Sequence, residues 1–134
     1  MPLNVVFEND YITIAVDLDK KYYMHRWKDL DFISSQDWKE IHKKMAEIIE
    51  KYDLKYALID SSQKFYPAEP ELWYWFSQEI TPVLDKTLLK MAIVIPNEPD
   101  IIYAMKKLIE NSSRSETDVQ IFFNLQDAEK FLFG

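Results

Sequence analysis

The chain has 134 residues, a hydrophobic fraction of 48%, an aromatic fraction of 15% and a formal net charge of −7. That length suggests one domain, and that apolar content is too high for disorder and ample for a packed core. There is no basic stripe, no cysteine and no glycine before Gly134. This speaks against nucleic-acid or anionic-membrane partners and excludes disulfides, thiolate chemistry and the glycine-dependent Walker, dinucleotide and nucleophile-elbow loops.

Val5 to Phe7 and Tyr11 to Val16 read as strands on either side of Asn9-Asp10, two residues that tolerate the positive φ of a tight hairpin turn. Asp17 to Lys21 is a second polar turn. Tyr22 to Trp27 is a third strand, with Tyr23, His25 and Trp27 facing one way and Tyr22, Met24 and Arg26 the other. The three strands form an antiparallel meander. Ser34 with Asp37 resembles a capping box, and Ile33 with Trp38 occupies the positions of a hydrophobic staple. The helix they open runs to about Tyr52 and buries Trp38, Ile41, Met45, Ile48, Ile49 and Tyr52. A Glu40–Lys44 pair at i,i+4 lies on its outer face.

Tyr56 to Ile59 is a nearly continuous apolar run, the pattern of a central strand covered on both faces. It ends at the turn residues Asp60-Ser61-Ser62. Pro67 and Pro70 break the pattern, and Pro70 suits a first helical turn. Leu72, Trp75, Phe76, Ile80, Val83 and Leu84 then share one helical face, in a helix that Pro82 should kink or split. Leu88 to Ile95 is another central strand. Asn97 with Asp100 repeats the N-cap pattern, with Pro99 in the first turn, and the helix buries Ile101, Ile102, Met105, Leu108 and Ile109. Asn111 to Asp118 is a polar loop and Val119 to Phe123 a strand. Asn124 with Asp127 caps a last helix that carries Ala128, Phe131 and Leu132.

The order β-β-β-α-β-α-β-α-β-α predicts a single α/β domain: a mixed sheet whose N-terminal meander is followed by βα units in parallel, with about four helices. Open α/β sheets place ligand sites in loops at the C-terminal ends of their strands, so residues 60–73 are the default site. Asp60, Ser61 and Ser62 are candidates for holding a polar group. Phe65, Tyr66, Trp73 and Tyr74 are candidates for an aromatic ligand wall or partner surface. By helical phase Trp73 flanks the core and Tyr74 points away from it. Ordinary turn chemistry and partial burial under a loop are the competing readings.

His25 and His42 are the only histidines. With no HxH or HxxxH spacing they read as structural, and no metal-ligand set or cofactor motif is visible. A triad of Ser61, His42 and Asp60 fails for want of a glycine elbow. Glu69, Glu71, Glu79 and Asp85 read as a solvated face rather than an acid–base pair.

The meander, the strand ending Leu58-Ile59-Asp60, the loop into Pro70-Glu71-Leu72-Trp73, the Ala92-Ile93-Val94 strand and the final Asp127-Ala128-Glu129 helix resemble the STAS domain, the fold of the anti-sigma factor antagonists. More closely, they resemble the small bacterial stand-alone STAS/SEC14-like proteins, over most of the chain. The resemblance implies a partner-switching protein whose serine, at the start of the second helix, is phosphorylated to release a kinase. Asp60-Ser61-Ser62 is similar to the D-S-S-G type motif, but it ends a strand and lacks the glycine, so that phosphorylation site is not carried over. The SEC14-like part of the resemblance implies an apolar ligand groove.

The expected function is a non-enzymatic regulatory or binding module, acting through a protein partner or a small apolar ligand. The alternatives are a small cofactor-independent hydrolase or lyase using carboxylate and Tyr or Ser groups, and a homodimeric structural module. The opening MPLNVVFEND has no signal-peptide pattern, and no apolar stretch approaches the ~20 residues of a bilayer span. A cytoplasmic protein without membrane insertion is expected.

Overall fold

The computed structural model describes residues 3–30, 32–65, 68–111 and 116–134. β1 (Asn4–Glu8), β2 (Ile12–Asp17) and β3 (Tyr22–Trp27) form the antiparallel meander. β4 (Tyr56–Asp60), β5 (Lys90–Val94) and β6 (Asp118–Phe122) extend the sheet in parallel, so that six strands lie side by side in chain order. The helices are α1 (Ser35–Lys51), α2 (Pro70–Glu79), α3 (Thr81–Leu84), α4 (Pro99–Asn111) and α5 (Leu125–Phe133).

Side chains alternate across a strand, and here the alternation divides the core in two. Ile12, Ile14, Val16, Tyr23, Trp27, Ala57 and Met91 pack with the buried face of α1 and with Leu84 of α3. Tyr22, Leu58, Ala92 and Val94 face the other way, onto Ala128 and Leu132 of α5. The molecule is therefore layered as helices, sheet, helix. No helix among the described residues is long and apolar enough to cross a membrane.

The helix ends follow local chemistry. Ser34 Oγ accepts from the Asp37 amide at 3.0 Å, and Asn124 Oδ1 from the Asp127 amide at 2.8 Å. Each satisfies one of the amides that a helix start leaves without an intrahelical partner. The helix after Pro70 is split, as Pro82 dictates: α2 ends at Glu79 and α3 begins at Thr81. Pro82 has no N–H to donate to the carbonyl four residues back.

Some local expectations need correction. The β1–β2 turn does not use positive φ; among the described non-glycine residues only Lys21 (φ 55) and Asp53 (φ 53) do. The Asn9 carboxamide instead accepts from the amides of Tyr11 and Ile12 at 2.8 and 3.0 Å, a side-chain mimic of a backbone turn. Glu40 pairs with Lys43 at 3.5 Å rather than with Lys44. Lys44 lies 5.4 Å from the Phe7 ring centroid and reaches Glu47 at 3.7 Å. α4 begins at Pro99, which puts Glu98, not Asn97, immediately before it. Of its five apolar positions only Met105 is buried, and Tyr52 of the α1 end is only half-buried. Likewise no residue of α2 is fully buried. These two amphipathic helices face inward without closing onto the sheet, because there is space beneath them.

Candidate functional site

That space is a cavity of 690 Å³ between the sheet and α1 to α4. Its floor is the strand face that carries His25 and Trp27 of β3, Ile59 of β4, Met91 and Ile93 of β5, and Val119 of β6. Trp38, His42 and Met45 of α1 form one wall. Trp73, Tyr74 and Phe76 of α2 and Leu84 of α3 form the roof, and Met105, Leu108 and Ile109 of α4 close the far side. The loop between β4 and α2 contributes Ser61, Phe65 and Ala68. No Lys, Arg, Asp or Glu lines the cavity among the described residues. Its size falls within the ~300–1,000 Å³ of small-molecule sites, and its apolar lining is typical of them. The methionines add adaptable surface.

At one end the rings form a connected cluster. Trp38 sits 4.1 Å from His42 and 5.2 Å from Trp73 between centroids, and His42 sits 5.3 Å from Phe76. His25 lies 5.5 Å from Trp27 and 6.4 Å from His42. All but the tilted Trp38–His42 pair meet edge to face, an arrangement that gains from the ring quadrupoles beyond the area buried.

The two histidines are the titratable groups of this cluster, beside the indole N–H of each tryptophan. His42 Nδ1 lies 2.8 Å from the Trp38 carbonyl, which can only accept, so Nδ1 carries the proton and Nε2 is a lone pair. Burial pushes the His42 pKa down to about 4, partly offset by that bond. His25 is fully buried, and its Nδ1 lies 2.7 Å from the Tyr23 hydroxyl. Burial, and then the neighbouring His42, hold His25 well below the usual imidazole range. Its Nε2 has no hydrogen-bond partner among the described residues.

The sequence candidates divide between two places. Ser61, Phe65, Trp73 and Tyr74 all line the cavity, although Tyr74 also keeps a 69% exposed side chain. Asp60 does not line it. It shares a sheet face with Leu58 of the α5 layer, where Oδ2 accepts from Arg26 Nε at 2.8 Å and Oδ1 from the Ser62 hydroxyl at 2.6 Å. Burial would raise the Asp60 carboxyl, but the bonds from Ser62 and the Arg26 charge outweigh it and hold it below its ordinary value. Ser62 is exposed and acts as the cap of that carboxylate. Tyr66 lies outside the described residues.

Sequence reasoning missed His25 and His42 as site residues. They are 17 positions apart, and only the packing of α1 over β3 brings them together. The usable sign was their phase: His25 alternates with Tyr23 and Trp27 on the core face of its strand, and His42 follows Trp38 by one helical turn. No cluster of three metal-ligating side chains occurs among the described residues. No family model, no curated protein and no solved structure matches the chain.

Proposed function

We propose that the protein is a cytoplasmic, non-enzymatic binding module that takes a small apolar ligand into the cavity beneath α2 and α4. The observation that carries this reading is the 690 Å³ volume itself, lined by aromatic, aliphatic and methionine side chains with no charged group among the described residues. Cores are packed to crystal-like density, and a partly open apolar pocket of this size leaves its lining residues short of the contacts that they would otherwise make. A ligand of matching shape restores them. The STAS/SEC14-like resemblance belongs to the same proposal, since it implies an apolar groove.

The test is native mass spectrometry of the protein purified from its own cells without a denaturing step. The expected result is a chain carrying a small-molecule mass that leaves on denaturation. A bare chain that also takes up no neutral apolar dye would contradict the reading.

A further inference from the structure

We propose that the ligand carries one neutral acceptor oxygen, such as a ketone, ester, ether or hydroxyl, and that His25 Nε2–H is the group that reads it. This rests on the apolar-ligand reading above and adds the ligand's chemical class. The argument starts from Tyr23. Its hydroxyl is buried and must donate its proton, and the acceptor within reach is His25 Nδ1 at 2.7 Å. If Nδ1 carried the proton instead, both the Tyr23 O–H and the Nε2 lone pair would lack a partner among the described residues, two unmet buried groups against one. Nδ1 is therefore the acceptor, and in the neutral ring the proton sits on Nε2.

Nε2–H is then a donor with no partner among the described residues, on a fully buried ring that lines the cavity. Thr87 Oγ1 is the other such orphan atom, but Thr87 does not line the cavity. Of the other hydroxyls that line the cavity, Ser77 Oγ donates to the Tyr74 carbonyl at 2.7 Å and Thr117 Oγ1 to Asp85 at 2.8 Å, while Thr81 and Tyr74 add further hydroxyls. Ser61 lies on the same sheet face, two residues beyond Ile59, the β4 partner of His25. It places a hydroxyl at this end of the cavity.

The lining also decides the charge of the ligand. Neither Lys nor Arg lines the cavity among the described residues, and both histidines are neutral in their buried setting. A carboxylate would find no counter-ion among the described lining residues, and low-dielectric surroundings penalise an unpaired charge. A neutral acceptor oxygen meets the N–H of His25 among mostly apolar walls that also carry indole N–H groups and a few hydroxyls.

The test uses a neutral dye, N-phenyl-1-naphthylamine, displaced by either decan-2-one or 2-methyl-1-decene, which differ in shape little and in acceptor oxygen wholly. Both are titrated against the full chain and against His25→Leu. The ratio of ketone to alkene affinity should fall about tenfold in the variant, while alkene affinity is kept. An unchanged ratio would overturn the role of His25 and leave the cavity reading standing. Failure of both compounds and the dye to bind the wild-type chain would overturn the cavity reading itself. Nitrogen-15 histidine spectra of the wild-type chain need no variant. They should show the Nε2–H tautomer of His25, with its proton shifted by the ketone and not by the alkene. An Nδ1–H tautomer would overturn the inference.

Discussion

The hydroxyl of Tyr23 lies 2.7 Å from Nδ1 of His25, two residues along the same face of β3. That bond occupies Nδ1 and leaves Nε2 as the imidazole nitrogen with no partner among the described residues. It also joins a strand residue that looks purely structural to the chemistry of the site. Tyr23 is buried, and burial holds its phenol well above the usual range, so it remains a proton donor throughout physiological pH.

Replacing Tyr23 with Phe removes the donor and leaves His25 Nδ1 unpaired. Stability should fall by about 1–3 kcal/mol, the cost of a buried polar atom losing its partner. The imidazole should also lose its fixed tautomer. A urea midpoint together with histidine nitrogen-15 spectra reads both effects; an unchanged midpoint with the Nε2–H form fully retained would show that the bond fixes nothing.

The neutral histidines make stability depend on pH. Unfolded histidine protonates near pH 6.5, whereas His42 in the fold titrates at about 4 and His25 is also lowered. Between those values the unfolded chain binds more protons, so stability rises with pH and falls as the solution is acidified from about 6.5 toward 4. His42 alone accounts for roughly 3 kcal/mol across that window, and its contribution levels off below it. Urea unfolding at neutral pH and near pH 5 measures the difference. Equal stability at the two would mean that the histidines are not buried as neutral groups.

On the opposite face of the sheet, Arg26→Met strips the guanidinium from a carboxylate whose side chain is only 2% exposed. Arg26 itself is 41% exposed and screened by water, so the expected cost at neutral pH is moderate, about 1–2 kcal/mol. The folded Asp60 pKa is lowered. Its contribution is therefore present above the ordinary aspartate pKa and is lost as pH falls through the folded value. The gap between variant and wild type should narrow in acid, and dye uptake should be unaffected because the pair lies away from the cavity. A variant that loses dye binding while folded would show that the two faces are coupled.

Much of this architecture is legible in the sequence. Asn124 and Ser34 announce their helices, Pro82 divides one, and the phase of Tyr23, His25 and Trp27 fixes the inward face of β3. The cavity is not legible, for a physical reason. Periodicity tells which residues turn inward, not whether the facing layer is close enough to touch them. Phe76 of α2 and Leu108 of α4, which line the cavity, and Leu72, Trp75, Ile101 and Ile102, which do not, carry the pattern of core residues, yet all remain only partly buried. The pairing of His25 with His42 is hidden similarly, since it arises from the crossing of α1 over β3 and from no spacing along the chain.

Filling the cavity tests the central claim most directly. Ala104 lines it from α4, and Ala104→Phe places a ring where the ligand would lie. Uptake of N-phenyl-1-naphthylamine, followed by quenching of Trp38 and Trp73, should saturate at a single site in the wild-type chain. The variant should bind at least about tenfold more weakly, with its unfolding midpoint unchanged or raised as the ring restores packing. Absence of saturable uptake by the wild-type chain, or equal uptake by the folded variant, would contradict the account.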